Sequence, residues 1–205
     1  MTTPAPYVSQ RRLGGAVLFL GGLLSTVGYV LMPTTSTDPA VLPAGWLVFG
    51  GTVLLLISLP WFHVGQAARA GALDWWATVL ICVGLALANF PGAVIGLADR
   101  HYLDDDSVFH ASAAGSAEFF GLMVLLVGVI LSAITTTRAR VYPRWAGWSL
   151  IAMVVVSLVV QFVEPLGTAI HHPTEIYLLV AVLGLAVLAT PTSVPAPNPV
   201  PVPAA

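Results

Sequence analysis

Apolar residues run along this chain in six long blocks, separated by short polar or proline-bearing segments. The blocks cover residues 13–32, 45–59, 75–98, 117–134, 145–163 and 173–190. A bilayer core is about 30 Å thick and a helix rises about 1.5 Å per residue, so roughly 20 apolar residues cross it. The second and sixth blocks are shorter, which predicts upright helices or spans that borrow their flanks. Prolines gather at the block ends, at Pro33, Pro43, Pro60, Pro143, Pro165 and Pro173. Proline lacks the N–H that a helix interior needs, so it marks boundaries. Pro91 lies inside the third block and predicts a kink or one loosened turn there. The pattern predicts an all-α, polytopic transmembrane helical bundle of six spans within residues 1–190. A proline-rich tail without charged side chains, 191–205, follows, and reads as disordered and partly polyproline II.

Composition strengthens this reading. Charged residues make up 8% of the 205, against 58% hydrophobic, with a mean hydropathy of +0.92. A soluble domain carries roughly a quarter charged residues, so this chain cannot coat itself with a solvated surface. Its net charge of -2 speaks against a nucleic-acid partner, which needs a basic surface. Cys82 is the single cysteine, which excludes an intramolecular disulfide and a cysteine-rich zinc site. The first block follows Arg11 and Arg12, as a signal peptide would, but it is long and no small-residue cleavage site precedes Pro33. It therefore reads as a retained span.

Arginine placement orients the bundle. In a six-span count, Arg11, Arg12, Arg69, Arg138, Arg140 and Arg144 fall on one side and only Arg100 on the other. Positive residues stay cytoplasmic, so both termini are expected in the cytoplasm, in a bacterial inner (cytoplasmic) membrane. Trp61, Trp75, Trp76, Trp145 and Trp148 would form the inner aromatic belt. Tyr29, Trp46, Tyr102 and Tyr177 would form the outer one.

Small residues point to helix contacts, because helices in lipid associate through close van der Waals approach. Gly14, Gly21 and Gly28 recur every seven residues with Gly15 and Gly22 beside them, giving one glycine stripe on the first span. Gly92 and Gly96 form a G-x-x-x-G pair, and Ala113, Ala114, Gly115, Ala117 and Gly121 lead into the fourth span. These faces suit static packing within the chain, or contact with a second copy or a membrane-complex partner.

The candidate chemistry lies on the outer side. His110 and Asp104 to Asp106 precede the fourth span, Glu164, His171 and His172 lie between the last two, and Glu175 follows Pro173 in the first turn of the sixth. Imidazole with carboxylate is the usual ligand set for a divalent metal, so His110, Glu118, Glu164, His171 and His172 are the metal candidates. Each has a plain alternative, as a helix cap, a first-turn acid or a solvated loop residue. Asn89, Glu118 and Gln161 are polar groups inside spans, where such residues usually face a partner or a wet pocket. Histidines on adjacent helices can ligate haem, but no haem motif is present, nor a zinc-protease, serine-hydrolase or phosphate-loop signature. The sequence thus points to a membrane protein binding or passing a small solute or lipid. The alternatives are a metal-dependent membrane enzyme with an outward His and carboxylate site, and a structural subunit of a membrane complex.

Overall fold

The computed structural model describes residues 6–31, 41–98, 113–162 and 174–189. They form six helices: α1 Pro6–Val30, α2 Val41–Ala70, α3 Ala72–Ala98, α4 Ala113–Ala139, α5 Arg144–Phe162 and α6 Thr174–Ala189. No strand occurs among the described residues. Four helices are long and apolar enough to cross a membrane, over Arg12–Val30, Pro43–Ala70, Ala72–Pro91 and Gly115–Ala139; two shorter apolar helices cover Arg144–Val159 and Ile176–Ala189.

Each helix packs against the next in sequence, and α1 closes on α6, so the bundle is a ring with α2 touching α4 across it. Close contacts give the directions. Gly14, Gly21 and Gly28 face Trp61, Gly51 and Ala44 in turn, so α1 and α2 run antiparallel. Gly15 meets Val187 and Gly22 meets Ala181, so α1 and α6 do too. Gly84 faces Leu125 and Gly128 faces Ile81, which fixes α3 against α4. The single glycine stripe expected on the first span therefore serves two different neighbours, α2 and α6.

This up-and-down order puts Arg12, Arg69, Arg138, Arg140 and Arg144 at one end of the bundle, all exposed. The sides are apolar: Leu20, Ile57, Phe120, Val127 and Val155 are exposed. Ser25, Thr52, Ser58, Gln66, Asp74 and Asn89 are buried instead. A fold that shows leucine outward and hides hydroxyls and amides inside is adapted to lipid, where polar groups find partners only in the protein. The chain is a multi-pass helical membrane protein.

Two sequence expectations change here. The second block was expected to end at residue 59 before Pro60, yet α2 runs through Pro60 to Ala70. Proline forfeits one helical hydrogen bond. The following turn compensates by packing: Trp61 lies on Gly14, and Phe62 stacks on Tyr142 with ring centroids 4.7 Å apart. Pro91 behaves as expected in position, inside α3, which continues to Ala98. The second change concerns Tyr29 and Tyr177. They are not belt residues turned to the headgroups; both face the bundle interior, and Tyr177 is among its largest fully buried side chains.

Candidate functional site

At the end opposite the arginines, three helices contribute one hydrogen-bonded group. Asn89 of α3 uses its whole amide. Its Nδ2 donates to the Tyr177 hydroxyl of α6 at 2.6 Å and to the Leu85 carbonyl at 3.1 Å, while its Oδ1 accepts from the Tyr29 hydroxyl of α1 at 2.9 Å. The two tyrosine rings stack on each other, centroids 5.4 Å apart and 13° from parallel. An amide with both N–H donors and its oxygen engaged inside a span is satisfied, so the trio is a fixed element and not a loose polar defect.

This trio forms the floor of a cavity of about 310 Å³ enclosed by α1, α3, α4, α5 and α6. That is at the low end of the roughly 300–1,000 Å³ typical of small-molecule sites. Glu118 of α4 lies on its wall. Ser157 of α5 also lines it, and its buried Oγ finds no hydrogen-bond partner among the described residues. A buried hydroxyl left unpaired costs about 1–3 kcal/mol. Ser25 and Thr136 hold equally enclosed, unpaired hydroxyls elsewhere in the bundle, so Ser157 marks the cavity wall by its position and not as an open polar contact. The remaining wall is apolar. Phe119, Met123 and Leu158 line the cavity while being 57%, 39% and 38% exposed. The cavity therefore reaches the lipid-facing surface between α4 and α5.

Of the residues singled out from sequence, Asn89 and Glu118 come together at this cavity. Gln161 lies in α5, one residue before its end. His110, Glu164, His171 and His172 lie outside the described residues. Among the described residues, no three His, Cys, Asp or Glu side chains gather as a metal-ligand set.

A second polar cluster, at the arginine end, was not read from the sequence. The Asp74 carboxylate, in the first turn of α3 and only 1% exposed, binds three partners. His63 Nδ1–H of α2 donates to Oδ2, and Gln66 Nε2 of α2 donates to Oδ1 at 2.5 Å. The Thr135 hydroxyl of α4 lies 3.0 Å from Oδ1 and also 3.0 Å from the Ser132 carbonyl, so its one hydrogen is shared between them. A carboxylate at a helix start is favoured by the helix dipole. Here it also ties α2, α3 and α4 together. The available signal was His63 and Gln66 one turn apart, followed by a lone Asp74; reading Pro60 as a helix end hid it by assigning both to a loop.

No protein-family model matches the chain, and no curated protein or solved structure shows significant similarity to it. The functional argument therefore rests on the geometry above.

Proposed function

We propose that this chain is a six-span protein of a bacterial inner membrane, with both termini cytoplasmic, that binds a small, largely apolar molecule in the Asn89 cavity. The observation that carries this reading is the cavity itself: an apolar chamber reached from the lipid side, with a fixed polar floor of Tyr29, Asn89 and Tyr177. Such a site holds an apolar body by burial and orients one polar end by hydrogen bonding. The arginine-bearing end supports the orientation by the positive-inside rule.

The test is a cavity-filling substitution. In Ser157→Phe the new ring occupies the chamber and the orphaned hydroxyl is removed. Native mass spectrometry of the wild-type protein in mild detergent is expected to show a bound molecule that survives gentle activation. Ser157→Phe is expected to lose that adduct while keeping or raising its thermal midpoint. A wild-type protein without an adduct, or an adduct unaffected by the substitution, would end the reading.

One further observation favours a metal-dependent enzyme as the second reading. The residue types carry it: His110, Glu164, His171 and His172 with Glu118 are the imidazoles and carboxylates that a divalent metal takes. A divalent cation held by them would activate water at the outer surface. Elemental analysis of protein purified without a histidine tag is then expected to find near-stoichiometric transition metal, lost in His171→Ala/His172→Ala. Metal unchanged by the double substitution removes this reading.

A further inference from the structure

The turn between α4 and α5 carries more arginine than orientation requires, and it is built rigidly. Arg138, Arg140 and Arg144 all lie at this turn and are exposed. Trp145 and Trp148 beside them are 44% and 62% exposed. The only described carboxylate at this end is Asp74, which is buried and held by His63, Gln66 and Thr135. Asp74 pairs with His63, so no described acidic side chain at this end neutralises the three guanidiniums.

The backbone is the second observation. Arg140 closes α4 in the left-handed region, φ 51°, with its N–H on the Thr136 carbonyl at 3.3 Å. The turn between α2 and α3 has the same closure, with Gly71 at φ 69° bonded to the Ala67 carbonyl at 3.1 Å. Glycine is the residue this cap favours, and a side chain with a Cβ is strained in it. Two residues later, Tyr142 is buried, stacks on Phe62 and donates its hydroxyl to the Phe62 carbonyl at 3.1 Å. A topogenic charge needs only to be present. It does not need a strained position on a turn pinned to the neighbouring helix. Strain retained in a fixed, charged turn is a feature of binding sites.

We propose that Arg138, Arg140 and Arg144 form a binding site for the headgroup of an anionic phospholipid. Trp145 and Trp148 sit at headgroup depth against its glycerol and upper acyl region. Guanidinium suits phosphate because its planar fork donates two parallel hydrogen bonds, and indole rings favour the interfacial zone. Basic clusters at the ends of membrane helices hold such lipids. The site is separate from the Asn89 cavity, which lies at the other end of the bundle.

The experiment uses the full chain, delipidated in detergent, titrated with phosphatidylglycerol or phosphatidylcholine and read by native mass spectrometry. Wild-type protein is expected to prefer phosphatidylglycerol. Arg140→Gly is expected to weaken phosphatidylglycerol binding about fivefold, as for one interfacial arginine, with a thermal midpoint equal to or above wild type because the cap strain is gone. Arg138→Gln/Arg140→Gly/Arg144→Gln is expected to bring it down to the phosphatidylcholine level. Arg12→Gln, on α1 across the ring, is expected to leave binding within twofold. Equal binding of the two lipids, an unchanged Arg140→Gly, or an equal loss in Arg12→Gln would overturn the site. Displacement of the lipid by glycerol phosphate alone would also overturn it, by reassigning the arginines to a soluble phosphate ester.

Discussion

Asp74→Ala is expected to lower the thermal midpoint of the detergent-solubilised protein by roughly 10 °C. The carboxylate is 1% exposed and takes hydrogen bonds from His63, Gln66 and Thr135. Removing it strands three donors in the interior. Hydrogen bonds between membrane helices are each worth only about 0.6–1.7 kcal/mol, but stranded buried donors add about 1–3 kcal/mol apiece. Partial relaxation, with Thr135 turning fully to Ser132 and His63, 12% exposed, shifting toward water, leaves a net loss of about 3 kcal/mol. At about 2–4 °C per kcal/mol for a chain of this size, that gives the stated shift. Asp74→Asn keeps an acceptor oxygen for Gln66 and Thr135 and is expected to recover about half of the loss. Arg69→Gln, exposed on the same hairpin, is expected to be neutral. A midpoint for Asp74→Ala within 2 °C of wild type would show that this cluster does not hold the three helices.

The second large effect is expected from a single methyl group. A Cβ at Gly121 would lie 2.5 Å from the Ala88 nitrogen, 2.8 Å from the Leu87 carbonyl carbon and 2.9 Å from the Gly84 oxygen. All three are backbone atoms, which cannot rotate away as a side chain could. Gly121→Ala must push α4 off α3, breaking contact along a seam that Gly84 and Gly128 continue. Overpacking of this kind costs typically 1–3 kcal/mol, and the upper part of that range is expected here because the whole helix moves. Ala88 precedes Asn89, so binding in the cavity should weaken with stability. Gly50→Ala is the matched control: nothing lies within 4 Å of its Cβ, and alanine is the better helix former. Thermal unfolding and adduct retention on the two variants check both statements. Equal behaviour of Gly121→Ala and Gly50→Ala would remove close packing as the basis of this interface.

Asn89 and Glu118 were legible from sequence because an amide or acid within an apolar run has few acceptable surroundings. Both line the cavity. Tyr29 and Tyr177 were not legible as its floor. A tyrosine near a span end can turn its hydroxyl to the headgroups or inward with equal chemical sense, and only the packing of α1 against α6 at Gly22 turns these two inward. Ser157 carried no signal at all, since a serine in a membrane helix usually bonds its own backbone. His63, Gln66 and Asp74 were hidden by Pro60, whose boundary preference lost to the packing of Trp61 and Phe62.

By itself, the sequence determined that this chain is a helical, multi-pass membrane protein with Arg12, Arg69, Arg138, Arg140 and Arg144 gathered at one end. Those outcomes follow from block length, apolar content and the count of spans, which are properties of the chain read in order. The tertiary structure alone decided which neighbour each glycine faces, that one stripe on α1 serves two helices, and that polar residues far apart in sequence meet in two clusters. The physical reason is that apolar content commits a segment to lipid but is nearly the same all around each helix, so it does not specify rotation. Rotation is set by where backbones can approach closely and where buried hydrogen bonds can close, and both require the partner helix.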